Sequence, residues 1–148
     1  MTTMTKAPQL TVRREIEATA EELFDAWLDA KSLGTWMRPG NTVKDSVAKV
    51  DARVGGKFSI DMHVANESIM HTGTYVEIDR PRRLVFTWVS VHTGKLDSVV
   101  TVEFRPGSKP RHTEVVLMHE GLPNEGAIKG HTGGWTEIFE NLVARYAK

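Results

Sequence analysis

The chain contains 148 residues, with 19 Lys and Arg against 19 Asp and Glu, so its formal net charge at pH 7 is zero. This balance disfavours nucleic acid or an anionic membrane as the main partner, because both attract an excess of basic residues. The absence of cysteine excludes a disulfide framework, a cysteine zinc site and a thiol nucleophile. The length and a hydrophobic content of 40% are typical of one globular domain, which we expect over residues 9–147.

Residues 1–8 are predicted to form a flexible N-terminal tail, because they precede the first periodic segment. They lack the apolar stretch of a signal peptide. No run in the chain approaches the ~20 apolar residues that a membrane-spanning helix needs. We therefore expect a cytoplasmic protein that has no membrane partner.

The first predicted element is a half-buried strand over Leu10–Ile16, where apolar and polar residues alternate. A helix follows, because Thr19 and Glu22 have the spacing of a capping box, in which each side chain accepts from the other residue's backbone N–H. A second short helical turn over residues 31–36 comes next, and Pro39 with the glycine after it ends that turn.

From residue 43 to residue 120 the hydrophobic period changes to two, which predicts β-strands. The predicted strands cover residues 42–51, 57–64, 70–79, 83–90, 98–105 and 113–120. Parallel pairing would need crossover connections of a dozen or more residues, and the connections here are shorter. The pattern therefore predicts one antiparallel sheet of six to seven strands, the first strand included.

A long closing helix is predicted over residues 124–147, with Asn124 as its N-cap. Its apolar residues recur at three- and four-residue steps: Ile128, Trp135, Ile138, Phe139, Leu142 and Tyr146. Gly130, Gly133 and Gly134 interrupt its first half, where each costs about 1 kcal/mol relative to alanine. They need a local reason, either a close approach to the sheet or a loose first turn. The pattern leaves open whether the helix is continuous through them.

Several short sequence motifs follow one another between residues 10 and 146. They are ATAEELFDAW at 18–27, VGGKF at 54–58, GTYVEID at 73–79, PRRLVFTW at 81–88, VTVEF at 100–104, HEG at 119–121 and GW at 134–135. With Trp36 and His131, these motifs resemble the bacterial AHSA1-like proteins, named after the activator of Hsp90 ATPase homologue 1. That group belongs to the SRPBCC superfamily, also called START or Bet v 1-like.

The resemblance implies an α+β helix-grip fold, in which a curved antiparallel sheet wraps around a long C-terminal helix and two short helices follow the first strand. It also implies a largely apolar cavity between the sheet and that helix. It implies no shared set of catalytic residues. Members of the superfamily bind lipids, hormones and polyketides, and some are cyclases or aromatases, so the resemblance leaves binder and enzyme open.

Strand alternation and helix spacing select the side chains that face this cavity. On the strand at 113–120, Glu114 and Glu120 share the outer face, so Leu117 and His119 are expected to point inward. The orientation of Tyr75 depends on a bulge near Gly73 and stays open. The expected ligand-binding residues are Trp36, Phe58, Ile60, Tyr75, Phe86, Trp88, Val102, Leu117, His119, His131, Trp135 and Phe139.

His119 and His131 are weak candidates for acid–base chemistry, since a histidine in a cavity can titrate near neutrality. The alternative is a structural role, in which each imidazole is buried and held by a backbone carbonyl. We therefore assign no catalytic residue. A metal site is not expected, because His63, His71, His119 and His131 lie on separate elements without the spacing of a zinc motif.

Three functions follow from these features. The first is a binding protein for a small apolar or aromatic molecule, with no cofactor and with a monomeric or homodimeric chain. The second is a cyclase-, aromatase- or hydrolase-type enzyme that uses a cavity histidine. The third is a co-chaperone-like interaction module whose partner is a chaperone of the Hsp90 type.

Overall fold

The computed structural model describes residues 8–38, 43–64 and 67–147. Its elements in chain order are β1 Leu10–Ile16, α1 Ala20–Trp27, α2 Ala30–Trp36, β2 Val43–Val50, β3 Lys57–Val64, β4 Glu67–Asp79, β5 Arg83–Trp88, β6 Ser98–Pro106, β7 Thr113–Glu120 and α3 Glu125–Tyr146. A single 3₁₀ turn at Val91–Thr93 lies between β5 and β6. The predicted tail up to residue 7, the stop at residues 39–40 and the predicted strand start at residue 42 lie outside the described residues.

The seven strands form one antiparallel sheet in the order β1-β7-β6-β5-β4-β3-β2. Strands β2 to β7 are neighbours in sequence order, as a meander requires, and β1 closes the sheet beside β7. The two short helices therefore connect opposite edges of the sheet. The curved sheet, the two short helices and the long closing helix confirm the predicted helix-grip fold.

Two strand boundaries differ from the prediction by two residues or more. Strand β4 starts at Glu67 rather than residue 70, because its pairing with β3 continues as far as the hairpin end. Strand β5 ends at Trp88 rather than residue 90, because Ser90 is the N-cap of the 3₁₀ turn that follows. Its hydroxyl accepts from the backbone N–H of His92 at 3.0 Å and thereby caps the 3₁₀ turn.

The start of α1 has the predicted capping box. The Thr19 hydroxyl accepts from the backbone N–H of Glu22 at 3.2 Å, and the Glu22 carboxylate accepts from the backbone N–H of Thr19 at 3.0 Å. Helix α2 begins after Asp29, whose carboxylate accepts from the backbone N–H of Lys31 at 3.0 Å. Local hydrogen bonds thus fix the position of both helix starts.

Helix α3 is continuous over 22 residues and passes through its glycines without a break. Asn124 caps it by accepting from the backbone N–H of Ala127 at 2.9 Å. Its second half is held in the core by four buried side chains: Trp135, Ile138, Phe139 and Leu142. The helix packs against β1, on the face of the sheet that also receives α1 and α2.

The inner face of the sheet is predominantly apolar and aromatic. Leu117 and His119 are buried on it, as strand alternation predicts. Tyr75 is 3% exposed and packs between Phe58 and Phe86, with ring centroids 5.3 and 6.5 Å away. The bulge lies just after Tyr75, so this side chain keeps the inward orientation.

Candidate functional site

A cleft of about 700 Å³ opens between the first half of α3 and the sheet. Its far wall consists of β3, β4 and β5 together with the 3₁₀ turn. The side chains around it include Met62, His71, Trp88, His92, His131 and Trp135. The four buried side chains of α3 all lie from Trp135 onward, and most of the α3 residues that border the cleft lie before Trp135.

Glycines form much of the helix wall of this cleft. Gly126, Gly130, Gly133 and Gly134 all border it. A Cβ atom added at Gly130 or Gly133 would meet no atom within 4 Å, so close approach to the sheet does not account for these two. The unbroken helix also rules out a loosened first turn. Neither reason considered from the sequence holds for Gly130 and Gly133, and the property they share is that they border open space.

Trp88 and Trp135 form the inner wall of the cleft. Each is 2% exposed, and their ring centroids lie 5.0 Å apart at an interplanar angle of 51°. The ring of His71 also packs against Trp88, with centroids 4.9 Å apart and an interplanar angle of 34°. The wall is therefore aromatic and tightly packed, which suits the face of a flat apolar molecule.

The indole N–H of Trp88 has no hydrogen-bond acceptor among the described residues, although the atom is buried. The indole N–H of Trp27 is also buried without an acceptor among the described residues, but Trp27 does not border the cleft. Buried donors nearly always have a partner in folded proteins, because an unmade hydrogen bond costs the full desolvation of the group. Trp88 therefore carries a buried N–H with no acceptor among the described residues.

A directed chain of hydrogen bonds runs behind this wall and passes through His119. The Trp135 Nε1–H donates to Nδ1 of His119 at 3.1 Å, and Nε2 of His119 lies 2.7 Å from the Ser98 hydroxyl. The Ser98 hydroxyl donates to the backbone carbonyl of Trp88 at 2.6 Å. Because an indole N–H only donates and a carbonyl only accepts, the proton of His119 must sit on Nε2.

This chain keeps His119 neutral. The side chain is fully buried, and desolvation lowers its pKa to about 3, with a smaller contribution from the charge of His131. Both ring nitrogens are already engaged, so His119 has no lone pair left to take a proton from a ligand. Its described role is to hold Trp135 and β6 in position.

His131 is placed differently, at the surface of the cleft. Its Nδ1 lies 2.8 Å from the carbonyl of Ala127 one turn earlier, so Nδ1 carries the donated proton and the lone pair is on Nε2. Burial lowers the pKa of His131, the hydrogen bond to Ala127 opposes this, and the charge of His92 adds to it. Its ring contacts His119 edge to face, with centroids 5.1 Å apart. The two histidine rings are therefore in contact, but only His131 borders the cleft.

His71 is a cleft residue that the sequence interpretation did not select. It is 6% exposed, and its Nδ1 lies 3.1 Å from the carbonyl of Ile69. Burial lowers the pKa of His71 to about 4, against the hydrogen bonds to the carbonyls of Ile69 and Ile60. Strand alternation could have identified His71 from the sequence, because His71, Gly73 and Tyr75 lie at every second position of β4 and so share the inner face. Met62 and His92 were likewise not selected.

The twelve expected ligand-binding residues separate into three groups. Trp88, His131 and Trp135 border the cleft. Phe58, Ile60, Tyr75 and Phe86 surround, with Trp88, a second void of only about 10 Å³. Trp36, Val102, Leu117, His119 and Phe139 are buried in the core and border neither space. A void of that size holds one water molecule at most, so the first group alone lies at a space of ligand size.

The described part of the chain has neither a cluster of metal-binding side chains nor a membrane-spanning helix. No group of three or more histidine and carboxylate side chains there could hold a metal ion. Among the helices at residues 8–38, 43–64 and 67–147, none combines the length and apolar character that crossing a bilayer requires.

Comparisons with known proteins agree with this fold. The family model for "Activator of Hsp90 ATPase homolog 1-like protein" matches residues 17–147. A protein from Chromobacterium violaceum superposes with a TM-score of 0.80 at 23% identity, over 94% of this chain and 96% of that one. An HSP90 activator from Plasmodium falciparum superposes with a TM-score of 0.73 at 30% identity, over 92% and 94%. The search of curated proteins gave no match. The chain therefore belongs to the activator of Hsp90 ATPase homolog 1-like family, within the SRPBCC or Bet v 1-like fold.

Proposed function

We propose that this protein binds a small aromatic or apolar molecule in the cleft between α3 and the sheet. The observation that carries the proposal is the cleft itself, with an aromatic wall at Trp88 and Trp135 and a helix wall that contains four glycines. Its volume of about 700 Å³ lies within the usual range of small-molecule sites. Apolar walls with a few polar atoms are the common composition of such sites.

The proposal is tested with 2-naphthol, a two-ring probe that is small enough to enter. Binding at 100 times the dissociation constant should stabilise the protein by about 2.7 kcal/mol, which a thermal-shift measurement detects. A Gly130→Phe variant should abolish this shift, because the new ring projects into the cleft, where a Cβ meets no atom within 4 Å.

The matched control is Ala144→Phe. Ala144 is exposed on the same helix and does not border the cleft, so this variant adds the same ring elsewhere. It should bind the probe like the unmodified chain. Equal binding by all three proteins would place the probe outside the cleft, and no shift for any naphthalene derivative at its solubility limit would argue against a binding function.

A second candidate is a chaperone-directed function, which the relationship to the Plasmodium falciparum HSP90 activator favours. That protein is 30% identical and matches nearly the whole chain. Purified Hsp90-type chaperone with and without this protein supplies the test. A rise in the ATPase rate that Gly130→Phe leaves unchanged would support an interaction surface outside the cleft.

A further inference from the structure

Three histidines from three different elements border the cleft: His71 on β4, His92 in the 3₁₀ turn and His131 on α3. His71 is buried, His131 is half-buried and His92 is exposed, so the three imidazoles differ in their access to solvent. The imidazole is the side chain whose charge ordinarily changes near neutral pH. The charge of the cleft wall therefore depends on pH.

These histidines act on one another electrostatically. Positive charge on His92 or His131 lowers the pKa of His71, and positive charge on His92 lowers the pKa of His131. The ring of His119 contacts His131 edge to face behind the cleft and is itself neutral, because burial lowers its pKa to about 3. The cluster therefore resists taking up positive charge.

The other charged side chains at the cleft do not compensate for a protonated imidazole. Among the described residues that border the cleft, Lys129 and Glu137 are the charged ones besides the histidines. Both are exposed residues of α3, and their charges are opposite. A protonated histidine in the cleft thus lacks a dedicated counter-ion from the described part of the chain.

We propose that the ligand of the cleft is an aromatic carboxylic acid, which binds as its carboxylate while the cleft histidines take up a proton from solvent. The carboxylate supplies the negative charge that the histidine cluster lacks, and the ring lies against the aromatic wall of Trp88 and Trp135. The coupling is reciprocal, so the anion favours protonated histidine as much as protonated histidine favours the anion. This inference rests on the proposed function, since it assigns a chemical class to the ligand of the same cleft.

His131 is the histidine best suited to take up this proton. Its Nδ1 lies 2.8 Å from the carbonyl of Ala127 and donates to it, so the proton adds to Nε2 and that hydrogen bond is kept. His119 differs, because its Nδ1 accepts from the Trp135 N–H at 3.1 Å and protonation there would break the bond. His71 is more deeply buried, and desolvation lowers its pKa to about 4.

The first experiment titrates the intact protein with two probes of the same ring system, naphthalene-2-carboxylate and 2-naphthol, at pH 8.0 and pH 6.0. The carboxylate stays ionised and 2-naphthol stays neutral over this range, so the charge of the probes is constant. The affinity for the carboxylate should be about tenfold higher at pH 6.0, a coupling of ordinary size. The affinity for 2-naphthol should change by less than about twofold, because a neutral probe has no charge to couple.

The second experiment repeats the carboxylate titrations with His131→Asn and His92→Asn. Asparagine does not titrate, and at position 131 its amide N–H can donate to the carbonyl of Ala127 in place of Nδ1. His131→Asn should reduce the tenfold increase to about threefold or less. His92→Asn should reduce it by a smaller amount, because solvent screens an exposed charge. Since His92 is exposed, this second variant does not depend on repacking of the core.

The matched control is His112→Asn, which removes a histidine outside the cleft. His112 lies 3.2 Å from the carboxylate of Glu15 and does not border the cleft. This variant should keep the full increase in carboxylate affinity between pH 8.0 and pH 6.0.

Other results separate this inference from the proposed function. A carboxylate affinity that is the same at both pH values, or an increase that persists in both cleft variants, would overturn the carboxylate assignment. The binding function would still stand if Gly130→Phe blocked both probes. Carboxylate binding that Gly130→Phe leaves intact would place the anion outside the cleft and would also overturn the assignment. Failure of both probes to bind at either pH would remove both proposals.

Discussion

At the scale of single residues, His119 shows how a buried polar side chain can be fully satisfied. Its two ring nitrogens join the Trp135 N–H to the Ser98 hydroxyl, and the chain ends on a backbone carbonyl. The imidazole thereby connects α3 to β6 and β7 at the base of the cleft. The aromatic wall of the cleft depends on this connection, because Trp135 forms part of that wall.

Two replacements of His119 should distinguish the contribution of its packing to stability from the contribution of its hydrogen bonds. His119→Leu leaves the Trp135 N–H without an acceptor and should lower the free energy of unfolding by about 1–3 kcal/mol. His119→Gln can accept with its oxygen and donate with its nitrogen, so its loss should be smaller. Urea unfolding measures both values. A leucine variant as stable as the glutamine variant would show that the hydrogen-bond chain contributes nothing.

At the scale of the element, the two halves of α3 have different structural roles. The second half carries the buried stripe that fastens the helix to the sheet, and the first half carries the glycines. Spacing in the sequence predicts the stripe, its N-cap and its C-terminal end. The same spacing does not show what the glycines face, because that depends on the distance between the helix and the strands.

Gly130→Ala should therefore stabilise the protein. The added methyl group meets no atom within 4 Å, and alanine favours the helix by about 1 kcal/mol. For a chain of this length the melting temperature should rise by about 2–4 °C per kcal/mol. Thermal unfolding followed by circular dichroism checks this. A fall in the melting temperature would mean that the glycine is required by the fold rather than by the cleft.

At the scale of the whole molecule, the buried histidines make stability depend on pH. The pKa of His119 is about 3 and that of His71 about 4 in the folded chain, whereas an unfolded histidine titrates near 6.5. Between these pH values the unfolded state binds more protons than the folded state. The contribution of the two histidines to the free energy of unfolding is therefore fully present above pH 6.5 and falls as the pH drops towards 4. Each histidine contributes on the order of 1.4 kcal/mol per pH unit in that window.

Urea unfolding between pH 7.5 and pH 4.5 measures this slope. His119→Gln should reduce it by the share of one histidine, because glutamine does not titrate. His112 is the control position, since its ring is partly exposed and paired with Glu15 at the surface. His112→Gln should leave the contribution of the buried histidines in place. A slope that His119→Gln does not change would contradict the burial of a neutral imidazole at this position.

The sequence by itself determined the element order and the antiparallel sheet, because alternation, helix spacing and capping residues are local signals, and its motifs carried the resemblance to the family. It also placed Trp88, His131 and Trp135 on the inner side. Only the tertiary structure decided which inward residues border open space. Phe58 and Phe139 satisfy the same periodicity as Trp88 and Trp135, but neither borders the cleft. The cleft depends on where α3 stands relative to β3, β4 and β5, a long-range distance that no local pattern encodes.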